Sequence, residues 1–190
     1  MKPVLSALFS LALILAVNTA PGAASAETGG RFILMDHNQR IVTDFDYQGK
    51  YLLMLFGYTF CPDICPTGLQ EMADVLEQLG KDATEVTALF ITVDPERDTP
   101  KVMREYVKAF DERIIGLTGS KVAIESITRK YRVKYAKVEE KPGDPDYTMD
   151  HSASMILMDR KGKYIRRFGY GTPAAQIVKA IREQLAAEKG

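Results

Sequence analysis

The chain has 190 residues, with 25 Lys and Arg against 25 Asp and Glu, so its formal charge is zero. That balance excludes the strongly basic surface that nucleic acid or an anionic membrane selects. Two cysteines exclude a disulfide-dense scaffold, and a chain of this size buries a core without staples.

The amino terminus is set aside before the fold. Lys2 precedes an apolar run from Val4 to Val17, and Ala24-Ser25-Ala26 supplies small residues before Glu27. The run is shorter than the roughly 20 residues that span a bilayer. Residues 1–26 therefore read as a secretory signal, and 27–190 as one exported domain in the periplasm or an equivalent compartment. An uncleaved membrane anchor is the alternative.

From there the chain alternates short apolar runs with helical patterns. Residues 31–36 and 40–43 flank His37-Asn38-Gln39 and predict a hairpin. YLLMLFGY (51–58) is continuously apolar, as in a strand buried on both faces. Leu69, Met72, Ala73, Leu76 and Leu79 recur at helical spacing, and Gly80 provides the stop. A second buried strand, 86–93, leads into DPERDTP and a helix capped by Thr99 with Pro100 at its first position.

A third strand at 113–117 precedes a helix from Ser120 whose core side is Val122, Ala123, Ile124, Ile127 and Tyr131. Residues 138–150 read as a polar loop. A hairpin (154–158 and 164–168) and a helix from Thr172-Pro173, with Ile177, Val178, Ile181 and Leu185 inward, complete the chain. The pattern predicts an α/β fold with a mixed sheet and helices on both faces. A strand running straight into a cysteine loop and a helix resembles the thioredoxin architecture.

The chemistry concentrates in TFCPDICP (59–66). Proline disfavours helical backbone in the residue before it, which predicts Cys61 and Cys65 extended, Cys65 as helix N-cap and Pro66 as the first helical residue. The helix dipole would then lower the Cys65 thiol pKa. Spacing alone leaves a structural disulfide, a redox pair and a metal clamp all open. The Met54, Met72, Met103, Met155 and Met158 side chains fall on apolar faces and read as core, whereas Met149, a thioether flanking His151, stays open.

Of the histidines, His37 reads as an exposed turn residue. His151 sits where the polar loop meets a strand and comes near the cysteines if that strand neighbours the one ending at Tyr58; otherwise it is an ordinary strand-edge histidine. Two thiolates and an imidazole suit Cu(I) and also hold Cu(II), whereas zinc asks for a fourth ligand. Parallel strands place their carboxyl ends together, so Asp94, Arg97 and Asp98 are expected at the same edge, orienting the site or docking a partner. Turn and cap chemistry is their alternative role. No Ser-His-Asp set, paired-carboxylate site or phosphate-binding glycine loop is evident.

GYTFCPDICP (57–66), VDPERDTP (93–100) and DYTMDHSASMILMD (146–159) together resemble, in order and spacing, the three signature blocks of the SCO/SenC family. The likeness runs from about Phe32 to the last helix. It implies a thioredoxin-like fold, one copper per chain as Cu(I) or Cu(II), and a role in assembling the copper site of cytochrome c oxidase. Cys61, Cys65 and His151 match the family's copper ligands, and Asp94 matches an acidic residue associated with copper handling or partner contact. The expectation is a metallochaperone rather than an enzyme, a monomer or transient hetero-complex. Its partner would be the oxidase copper-site subunit or another periplasmic copper protein, with no nucleic acid. The alternative is a thiol-disulfide oxidoreductase using Cys61 or Cys65 to reduce a partner's cysteines. A peroxidase is a third reading, for which the cysteine pair lacks the usual arrangement.

Overall fold

A computed structural model describes residues 28–188, so the expected signal segment lies outside the described residues. A hairpin of β1 (Ile33–Asp36) and β2 (Ile41–Thr43) opens the fold. β3 (Tyr51–Gly57) runs into α1 (Ile64–Leu79), β4 (Val86–Thr92) into α2 (Pro100–Lys108), and β5 (Ile114–Thr118) into α3 (Lys121–Lys130). A separate ribbon of β6 (Tyr135–Val138) and β7 (Thr148–His151) follows, then β8 (Ser154–Met158), β9 (Tyr164–Gly169) and α4 (Ala174–Ala187).

Seven strands form one mixed sheet in the order β2-β1-β5-β4-β3-β8-β9. β3 is central, parallel to β4 and antiparallel to β8, and every one of its residues is buried. Because strand side chains alternate, its two faces feed two cores. Tyr51, Leu53 and Leu55 pack with α1, α2 and α4, whereas Leu52, Met54 and Phe56 pack with Ile124, Ile127 and Tyr131 on the α3 side. Burying each such side chain contributes about 1.5–3 kcal/mol. The parallel strands β3, β4 and β5 end together, which brings the cysteine and DPERD loops to one edge.

The expected caps are present: Thr99 Oγ1 accepts from Val102 N at 3.4 Å, and Ser120 Oγ from Ala123 N at 3.2 Å. Met54, Met72, Met103, Met155 and Met158 are buried as expected. Val122, expected inward, is 74% exposed. At about 100° per residue it lies on the far side of α3 from Ile124. The expected loop 138–150 contributes strand residues at both ends, with Val138 paired to Thr148. Its mostly exposed residues carry no apolar alternation to announce a strand.

His37 also departs from expectation. It is half-buried, and its Nδ1 accepts from Gly116 N at 3.0 Å, pinning the first hairpin to β5. Beside it, the fully buried Asp36 accepts from Asn38 N at 2.8 Å, Arg40 N at 2.9 Å and Arg40 Nε at 2.7 Å. Burial works to raise the Asp36 carboxyl pKa, but these donors and the Arg40 charge outweigh it and hold the group below its ordinary value. A depressed folded value means that Asp36 stabilises the fold above the unfolded pKa of about 3.9, a contribution lost as pH falls through the folded value. Asp36→Asn is therefore expected to lower the urea midpoint near neutral pH, and the difference from native to shrink as pH falls below the unfolded pKa of about 3.9.

Candidate metal centre

The cysteine loop hangs between two fixed points. β3 ends at Gly57, and α1 begins at Ile64 with Asp63 as N-cap, two residues earlier than the expected N-cap Cys65. Cys65 is thus the second helical residue and Pro66 the third. Proline is tolerated there because first-turn N–H groups have no partner inside the helix. Asp63 makes no side-chain cap; instead Cys61 Sγ accepts from Cys65 N at 3.4 Å, so one cysteine caps the turn that carries the other.

His151 closes the group. Its Nε2 lies 3.2 Å from Cys65 Sγ, and its Nδ1 lies 3.4 Å from the Ser152 carbonyl. With the proton on Nδ1, the Nε2 lone pair faces the sulfur. The Tyr58 ring meets the imidazole edge-on at 5.8 Å. The Cys61, Cys65 and His151 donor atoms all lie within 4.8 Å of one another, the separation at which three ligands can share one ion. Two sulfurs and one nitrogen form a soft, under-coordinated set, which fits copper better than a closed four-ligand zinc site.

Burial governs the electrostatics. It pushes the Cys65 thiol far above its usual value, against the Tyr58 backbone hydrogen bond, and it lowers the His151 imidazole pKa. The expected depression of the Cys65 pKa by the helix dipole is thereby overturned: with Cys65 1% exposed, desolvation of a thiolate outweighs the dipole. Metal binding must then expel the Cys65 thiol proton.

Asp94, Arg97 and Asp98 lie at the expected edge but outside the donor group. Asp98, fully buried, accepts from Thr59 N at 3.1 Å, Thr59 Oγ1 at 2.6 Å and Thr92 Oγ1 at 2.6 Å, tying the start of the cysteine loop to the end of β4. Asp94 pairs with Arg97 Nε at 2.6 Å and accepts from the Tyr147 hydroxyl at 2.8 Å. Met149 is buried and lines a groove with Val93, Asp94 and Tyr147. A second groove, lined by Ile64, Cys65, His151 and Tyr170, reaches two of the three donors, Cys65 and His151, from outside.

Tyr58, Thr59, Thr92, Tyr147 and Gly57 escaped the sequence reading. For Gly57 a signal existed, since glycine ending a buried strand marks close approach. A Cβ there would sit 2.6 Å from Cys65 Sγ and 2.8 Å from Phe90 Cε2. Gly57→Ala is expected to cost about 1–3 kcal/mol in stability through overpacking. It should also weaken metal binding by displacing Cys65, which thermal melts paired with metal titration would measure.

Comparison with known proteins places this arrangement. The SCO1/SenC family model matches residues 20–186. A SCO2-like protein of Rickettsia felis is 40% identical over 158 residues, covering 83% of this chain and 77% of that protein. Bradyrhizobium japonicum ScoI, solved with copper bound, superposes with a TM-score of 0.76 at 45% identity, covering 82% of this chain and 98% of that one. Arabidopsis thaliana ScoI, also solved with copper bound, gives 0.78 at 37% identity, covering 84% and 99%. The expected thioredoxin-like fold is borne out. By a family model spanning nearly the whole described structure and by relatives matched over most of their own length, this chain belongs to the SCO1/SenC family.

Proposed function

We propose that the protein is an exported copper metallochaperone that carries one copper between Cys61, Cys65 and His151 and delivers it to the copper site of cytochrome c oxidase. The observation that carries this reading is the convergence, within 4.8 Å, of three soft donors from two segments distant in sequence. Membership of a family whose relatives include copper-bound structures supports the choice of metal. Copper is cargo: three ligands leave a coordination position for an incoming ligand, and a partner's cysteine or histidine replaces these donors one at a time. The groove beside Cys65 and His151 supports access for that exchange. Oxidation of Cys61 and Cys65 to a disulfide would remove both sulfurs, so loading requires reduced thiols.

Copper titration of the fully reduced protein, beside an assay of its ability to reduce a partner disulfide, tests the reading. One tightly bound copper per chain is expected. Efficient disulfide reduction without stoichiometric copper binding would overturn it in favour of a thiol-disulfide oxidoreductase. Among the described residues no helix is long and apolar enough to cross a membrane. Export with cleavage near Ala26, or tethering by the amino-terminal run, is read out by mass spectrometry of the mature chain.

A further inference from the structure

His151 is not carried by the main sheet. It ends β7, and the β6–β7 ribbon has no strand pairing with the seven-stranded sheet. Its placement over the cysteines therefore depends on what fastens the ribbon down. Met149 and Tyr135 pack it against the core, and beyond the 3.2 Å approach of His151 to Cys65 a cluster of directional contacts holds its other end.

There the Tyr147 hydroxyl donates to Asp94 Oδ1 at 2.8 Å, and Arg97 Nη1 donates to the Tyr147 carbonyl at 2.9 Å. Arg97 Nε completes the triangle on Asp94 Oδ2 at 2.6 Å. The guanidinium lies 3.6 Å from the Tyr147 ring centre and 4.5 Å from that of Phe60, the residue before Cys61. One side chain thus touches the DPERD loop, the ribbon and the cysteine loop. Asp94 and Tyr147 are 3% and 7% exposed, so their hydrogen bonds are shielded from water. Arg97 Nη2 is buried without a partner, so the guanidinium is held by stacking and by its other nitrogens.

We propose that Asp94, Arg97 and Tyr147 form a latch that positions His151 over the cysteine pair, with Arg97 as its central positioning residue. Closed, the latch gives three ligands. Open, it lets β7 and His151 move away while Cys61 and Cys65 stay on the β3–α1 loop, leaving two sulfurs and room for a partner's ligand. The proposal rests on the metallochaperone reading for its consequence, though the latch itself is testable without metal.

Tyr147→Phe, which removes only the hydroxyl, and Arg97→Lys, which keeps the charge but not the fork or the stack, are the variants. In the reduced, metal-free protein, amide hydrogen exchange at residues 148–151 is expected to quicken about tenfold in each, with β3 and β4 unchanged. Unchanged exchange at 148–151, or an equal rise in β3 and β4, overturns the latch. With Cu(I), each variant is expected to bind about tenfold more weakly than native, and to add nothing to the loss caused by His151→Ala. Full additivity with His151→Ala overturns it. Failure of the native protein to bind copper would instead defeat the metallochaperone reading, and hydrogen exchange would still decide the latch.

Discussion

Cys65→Ser is expected to abolish stoichiometric copper binding, whereas His151→Ala keeps one copper per chain at an affinity lower by roughly a hundredfold or more. The asymmetry follows from the donors. A thiolate is the soft ligand that selects Cu(I), and a serine hydroxyl at the same place stays protonated and hard. His151 supplies one nitrogen from the ribbon, so its loss leaves both sulfurs in their loop. Cys65 is 1% exposed and its serine replacement would bury a hydroxyl, at a cost of about 1–3 kcal/mol. Circular dichroism and a melt of the same samples would establish that the variant is folded. Retained tight one-to-one copper binding by Cys65→Ser would contradict the assignment.

The second large effect is expected at Asp98, which touches no donor atom. Removing its carboxylate in Asp98→Ala strips three acceptor contacts from Thr59 and Thr92 at once, two of them at 2.6 Å. The threonine hydroxyls can reorient, but the Thr59 N–H is left facing a void, and the empty volume adds its own penalty. The net loss is expected to be about 3 kcal/mol, read as a fall of roughly 10 °C in melting temperature. Copper affinity should fall as well, because Thr59 is where the cysteine loop leaves β3. A melting temperature within about 2 °C of native would show that Asp98 does not hold the loop.

The layout of the fold was legible because its signals are local. β3 announces itself as seven consecutive buried positions, and α2 and α3 by the Thr99 and Ser120 caps. The three donors were legible in another way, through residue type and the family resemblance. What brings them together was not, since the 3.2 Å approach of His151 to Cys65 depends on tertiary placement of a polar ribbon. The Cys65 thiol shows the limit most plainly. A prolyl-start argument put the helix boundary two residues late and the pKa on the wrong side, because burial is a property of the assembled core rather than of the local sequence. Tyr147 was equally hidden, lying in a stretch whose proline, glycine and aspartate content reads only as loop.

Copper X-ray absorption on the reduced, Cu(I)-loaded native protein tests the central claim most directly. Two sulfur ligands and one nitrogen ligand are expected, with the nitrogen signal lost in His151→Ala. Coordination by nitrogen and oxygen alone, or a native spectrum unchanged by His151→Ala, would contradict a site built from Cys61, Cys65 and His151.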